Sequence, residues 1–371
     1  MAGSIYKRGN SYTVSFSNGY DQNGKRQRYT KSGFKTKKEA KKYLFELNQK
    51  YYNGELCFND KMVLSDFLDY WFQNDVEPNH AKNTISGYRT NIEKHIKPAI
   101  GHLIVSKIKP VHIQEFYLQL SEKGLSATSI TYIHRNLHTA FKYGKKMQMF
   151  SNDVFDLVKP PRIEKYKVVT LTSEQSAILI KSVENTEIYL PVVLAVTLGL
   201  RRGEVLGLQW QDFKQDLKLL SIERNANRVK GGMEFAPLKT NSSRRTLLLN
   251  DELVNILLKE KERQNEYKEI FGYGYNPNDL ICCRLTGDFI TTNFLDKHFK
   301  SALIENNLPV IRFHDLRHTN ATILYENNVP DKIVSSRLGH SSTKTTNDIY
   351  GHLTHKMQEN CVDVLNNSFF N

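Results

Sequence analysis

Leu190-Pro191-Val192-Val193-Leu194-Ala195-Val196-Thr197-Leu198-Gly199-Leu200-Arg201-Arg202-Gly203-Glu204 carries an apolar helix up to a glycine and then presents a guanidinium. The helix, Leu190 to Leu198, belongs in a core, so Arg201 stands where that core ends. Glu204 follows three residues later, near enough on a helical turn to orient the Arg201 side chain.

Three further segments of the last 200 residues also set a polar group within or beside an apolar frame. Phe235-Ala236-Pro237-Leu238-Lys239-Thr240-Asn241-Ser242-Ser243-Arg244-Arg245-Thr246-Leu247-Leu248-Leu249 reads as a strand, a polar turn around Lys239 to Ser243, and a second strand. A lysine on such a hairpin tip can move, which suits a group that delivers a proton, although lysines are also common in surface turns. In Ile311-Arg312-Phe313-His314-Asp315-Leu316-Arg317-His318-Thr319, His314 and Arg317 share one helix face and can address the same phosphate. Leu338-Gly339-His340 closes a helical run from Val334; a polar turn follows, and Tyr350 stands at the end of the next short helix. None of these segments decides anything alone. Their joint occurrence carries the argument.

The chain has 371 residues, enough for two or three domains with separate cores. Its 52 Lys and Arg against 39 Asp and Glu give a net charge of +13, a balance that suits a polyanionic partner such as nucleic acid. Cys57, Cys282, Cys283 and Cys361 form no CxxC pair and have no companion His at zinc-finger distance, so neither a disulfide framework nor a metal site is expected. The first residues lack an apolar signal segment, and no stretch approaches about 18 uninterrupted apolar residues. A soluble protein of a reducing cytoplasm, with no membrane partner, is expected.

Residues 1–56 contain twelve Lys or Arg and four Asp or Glu, so a local charge of +8 sits in about a seventh of the length. Tyr12-Thr13-Val14-Ser15-Phe16, a turn at Asp21 to Gly24, and Lys25 to Thr30 read as a basic hairpin, and Lys7, Arg8, Lys25, Arg26 and Arg28 of this module are candidate DNA contacts. Thr36 caps a helix from Lys37 to Tyr51 with an apolar stripe of Ala40, Tyr43, Leu44, Leu47 and Tyr51. Residues 59–158 are helical. Leu64, Phe67, Leu68, Trp71 and Phe72 begin one pattern, Tyr88, Ile92 and Ile96 continue another, and Ser126 opens a third containing Ile130, Ile133, Leu137, Ala140 and Phe141. Lys82, Arg89, Lys142 and Lys145 could line a DNA groove or form the wet side of these helices. Lys159-Pro160-Pro161 breaks the pattern, making 159–167 the linker to a domain spanning 168–371, where Thr172 or Ser173 caps the first helix and strands gather near 218–248.

In order, Arg201, Lys239, His314, Arg317, His340 and Tyr350 resemble the active-site series of the tyrosine recombinase, or phage integrase, family. The resemblance covers about 168 to 355. Leu198 departs from the Thr that many members carry before this Gly. Lys230 competes with Lys239, which is preferred because Pro237-Leu238-Lys239-Thr240 followed by Ser-Arg-Arg-Thr is the better match. The amino-terminal and second modules are similar to the arm-binding and core-binding domains of integrases from temperate phages and conjugative transposons. The implied fold is multidomain and mainly α with small β-sheets: an α+β arm-binding domain, a helical core-binding domain and a mixed α/β catalytic domain with a tail from about 352.

Arg201 and Arg317 suit the charge that gathers on a phosphodiester attacked in line, Tyr350 suits the nucleophile, and Lys239 suits the proton donor to the leaving 5′ oxygen. His314 and His340 would position the phosphate or assist proton movement, with Glu204 in support. The resemblance implies a 3′-phosphotyrosyl intermediate with no metal and no cofactor, and a homotetramer on double-stranded DNA attachment sites of core and arm type. It also implies a Holliday-junction intermediate, an excisionase and a DNA-bending accessory protein as further partners, and a place at the bacterial nucleoid. A chromosome-dimer-resolving recombinase shares the chemistry but usually lacks the basic first module. A binding-only descendant would not need all six polar positions filled by competent residues.

Overall fold

The computed structural model describes residues 3–20, 26–52, 61–150, 153–164, 168–229, 232–238 and 243–339. Lys25, Lys230, Lys239, His340, Tyr350 and the tail from 352 lie outside the described residues, as do the side chains of Arg26 and Arg28. The chain divides into two units, residues 1–165 and 166–371, and the division falls in the proline-containing stretch. Among the described residues no helix is long and apolar enough to cross a membrane.

The first unit begins with an antiparallel sheet, β1 (Gly3–Arg8), β2 (Ser11–Tyr20) and β3 (Arg26–Phe34), in the order β1-β2-β3. The expected hairpin is β2–β3; β1 is an added edge strand whose only apolar residues, Ile5 and Tyr6, gave too little alternation to read. Val14 and Phe16 point inward from β2 onto Ala40, Leu44 and Leu47 of α1 (Lys37–Tyr52). Thr36 and Glu39 cap this helix reciprocally: Glu39 N–H donates to Thr36 Oγ1 at 3.2 Å and Thr36 N–H to the Glu39 carboxylate at 3.3 Å. Lys7 and Arg8 are exposed on β1.

Next come α2 (Leu64–Trp71), α3 (Glu77–Asn79), α4 (Lys82–Asn91), α5 (Lys97–Ile100), α6 (Pro110–Glu122) and α7 (Ala127–Lys146). π-helical turns at Phe72–Val76 and Ile92–Ile96 precede Pro78 and Pro98, whose missing N–H groups interrupt the regular ladder. Leu64, Phe67, Leu68 and Trp71 pack with Ile130, Ile133, Leu137 and Phe141 in a second core. Ser126 Oγ accepts the Ser129 N–H at 3.2 Å, starting α7 where the sequence expects. Lys82, Arg89, Lys142 and Lys145 are exposed, but Arg89 pairs with Glu77 at 2.7 Å and lies over the Phe72 ring.

The second unit contains α8 (Ser173–Ser182), capped by Thr172, then α9 (Tyr189–Leu198), α10 (Arg202–Leu206), α11 (Asp251–Phe271), α12 (Thr292–Glu305), α13 (Asp315–Glu326) and α14 (Asp331–Leu338). Its strands are β4 (Phe213–Lys214), β5 (Leu219–Ile222), β6 (Arg224–Val229), β7 (Gly232–Pro237) and β8 (Arg245–Leu248). Here the structure corrects the sequence reading: β7 and β8 do not form a hairpin with each other. β7 pairs with β6, whereas β8 joins β5 in the sheet β4-β5-β8. The register Val229↔Gly232 leaves two residues between β6 and β7, and that short connection commits β7 to its neighbour. Leu247 of β8 instead faces the main core with Leu220. The stretch around Lys239 therefore connects two sheets.

Candidate active site

α9 is apolar on all sides because the rest of the unit surrounds it; Leu190 to Val196 and Leu198 are buried. It ends at Gly199, where φ is +64° and a Cβ would run into Leu338 and Asn320. Only glycine fits both conditions. The chain turns through buried Leu200 to Arg201, the extended N-cap of α10.

Glu204, fully buried, accepts the Arg201 backbone N–H at 2.9 Å and its Nη1–H at 2.6 Å. Arg201 Nη2 also donates to the Gly339 carbonyl at 3.2 Å, while 34% of its side chain remains exposed. The guanidinium is thus held at both Nη atoms while about a third of the side chain stays exposed. Burial pushes the Glu204 carboxyl up, but hydrogen bonds and charge from Arg245 and Arg201 outweigh it and leave the group below its ordinary value. It stays ionised.

α13 delivers the second guanidinium. Arg317, 2% exposed in its first turn, donates Nη1–H to the Gly199 carbonyl at 2.8 Å. Asn320, one turn on, donates Nδ2–H to the carbonyls of Val196 and Thr197 at 2.8 and 3.1 Å. The carbonyl end of α9 is therefore read by α13, which fixes Arg317 beside the Gly199–Arg201 turn. Buried Asp315 anchors the start of α13 by accepting from the Arg312 backbone and guanidinium at 2.7 to 3.0 Å.

His314 is the N-cap of α13, exposed to solvent on one side. The atoms packed around its ring, then the charges of His318, Arg317 and Arg201, push its imidazole down to about 4. At neutral pH it is an uncharged hydrogen-bonding group. Arg317 is tied to the Gly199 carbonyl two residues before Arg201, and His314 caps the helix that carries Arg317, so residues 116 apart in sequence at the extremes share one neighbourhood.

Lys239 and His340 adjoin described anchors: Leu238 packs against the core, and Gly339 accepts from Arg201. The sequence reading missed Asn320 and Arg245. Arg245 had a signal, since strand alternation puts it on the same face as buried Leu247. A cleft of about 750 Å³ lined by Glu187, Arg284, Phe294 and His298 contains none of the series. Among the described residues, the one group of three metal-ligating side chains whose ligand atoms lie within 4.8 Å of one another is His138, Asp153 and Asp156, in the first unit and outside the series.

Residues 169–357 match the phage integrase family, residues 4–51 an arm DNA-binding domain, and residues 63–121 the N-terminal SAM-like domain of phage integrases. A "tyrosine recombinase XerC-like" protein of Caldanaerobacter subterraneus subsp. tengcongensis is 30% identical, over 96% of each chain. The ICEBs1 integrase of Bacillus subtilis is 26% identical over 95% of this chain and 96% of its own. In fold, the chain is similar to the Tn1549 transposon integrase solved with transposon right-end DNA: the TM-score is 0.70 at 21% identity, over 82% of this chain and 99% of that one. The chain belongs to the phage integrase family and is a tyrosine site-specific recombinase.

Proposed function

We propose that the chain is the integrase of a mobile element or prophage and that Arg201 and Arg317 bind the nonbridging oxygens of the scissile phosphate in double-stranded DNA. The observation that carries this reading is the pair of anchored guanidiniums, Arg201 on Glu204 and Arg317 on the Gly199 carbonyl two residues before Arg201, with His314 capping the helix that carries Arg317. Tyr350 Oη attacks phosphorus, and the bond from phosphorus to the 5′ oxygen breaks. Lys239 supplies the proton that oxygen needs, while the phenolic proton passes to solvent or a neighbouring histidine. His314 and His340 position the phosphate. The 3′-phosphotyrosyl bond conserves the energy of the broken one, so a second 5′ hydroxyl can reseal the strand by the reverse step.

Recombining two duplexes requires four strand cleavages, which four protomers supply through a Holliday junction. Residues 1–56 take arm-type DNA, 59–158 grip the core site, 159–167 link, and 168–371 cut, with the tail from about 352 docking on a neighbour. An excisionase and a DNA-bending protein set direction at the bacterial nucleoid. Because the arginines supply positive charge where a metal clamp would otherwise act, cleavage of a core site should proceed in EDTA. Strict dependence of the chemical step on magnesium would contradict this reading.

A further inference from the structure

Two adjacent arginines, Arg244 just before β8 and Arg245 at its start, behave differently. Arg244 is exposed and only approaches Glu223, at 4.0 Å, whereas the Arg245 side chain is 7% exposed. Arg245 donates to both oxygens of Glu204, at 3.3 Å from Nη1 and 2.9 Å from Nη2. Its Nε–H goes to the Arg337 carbonyl at 2.7 Å and its Nη1–H also to the Ser243 carbonyl at 3.0 Å.

Each acceptor leads to a different part of the site. Glu204 is the carboxylate that orients Arg201. Ser243 is the first described residue after the stretch containing Lys239. Arg337 lies in the last turn of α14, two residues before Gly339, whose carbonyl accepts from Arg201. One buried carboxylate thus serves two guanidiniums, one sealed and one open, and both reach the carbonyl end of α14.

We propose that Arg245 is a positioning residue for strand cleavage, acting through Glu204 to fix the direction of Arg201 and tying β8 to the end of α14. The proposal rests on the reading of Arg201 as a phosphate-binding group. Without Arg245, Glu204 would have Arg201 as its remaining guanidinium partner among the contacts described and would draw it inward, away from the open side. A lysine would keep the charge but not the fork: one ammonium cannot serve two carboxylate oxygens and two carbonyls set around a planar group.

The test uses the full chain with Arg245→Lys and Arg245→Ala on a nicked suicide duplex carrying the core site of its own element. One version has an ordinary scissile phosphodiester and the other an uncharged methylphosphonate. With the phosphodiester, Arg245→Lys should cleave at least about 30-fold more slowly, with core-site Kd within about threefold and Tm within a few degrees of wild type. With the methylphosphonate, which offers Arg201 no anionic charge to balance, the two proteins should differ by less than about threefold. Arg245→Ala should behave likewise if it folds, and the lysine variant decides if it does not. Equal cleavage of the phosphodiester, or an equal rate loss on both substrates, would overturn the positioning role. If the wild type forms no covalent adduct, the reading of the active site fails and this inference with it.

Discussion

Arg201, Arg317 and His318 all press on one imidazole. Packing around His314 and these positive neighbours make protonation unfavourable in the folded chain, whose value is about 4 against the ordinary 6.5. Between these values the unfolded state binds the proton and the folded state does not. The contribution of His314 to stability is therefore present above about pH 6.5 and is lost as pH falls towards about 4. His318 is lowered mainly by burial and acts in the same direction. Melting wild type and His314→Asn from pH 7 to pH 4 should show the wild type losing Tm more steeply; parallel curves would contradict the placement of His314 beside the arginines. The pairs Arg201–Glu204 and His314–Arg317 were legible because each is three residues apart and local helical geometry suffices to bring its members together. The contact of Arg317 with Gly199, 118 residues away, had no local pattern to reveal it.

Helices α9 and α13 dock through polar ends as well as apolar faces. The last carbonyls of α9 have no partners inside their own helix, and Asn320 and Arg317 satisfy three of them. Asn320→Asp keeps the shape but turns two donors into a buried charge facing carbonyls, which should destabilise the second unit by about 3–5 kcal/mol. Asn320→Ala should cost about 1–3 kcal/mol. Urea unfolding followed by circular dichroism checks both, and a wild-type midpoint for Asn320→Asp would refute this account of the docking. Helices were the most legible elements, since Thr36, Ser126 and Thr172 start them through their own side chains. Strand pairing was less legible. Alternation along 235–249 identified two strands correctly, but it carries no information about which neighbour each strand chooses.

Across the whole molecule, excess positive charge is concentrated in residues 1–56, while the paired guanidiniums are near residues 200 and 317. If the first module holds a separate arm-type site, deleting it should remove one of two footprints and flatten the salt dependence of DNA affinity, because fewer phosphate contacts release fewer counterions. An unchanged footprint pattern would contradict that division of labour. The central claim concerns Tyr350, one of 19 tyrosines, chosen because it follows Leu338-Gly339-His340 at the family's spacing. On a nicked suicide substrate, wild type should yield a covalent protein–DNA adduct on a denaturing gel, with the label on the peptide containing Tyr350. Tyr350→Phe should bind the core site and form no adduct; an undiminished adduct from that variant, or label on another residue, would contradict the account.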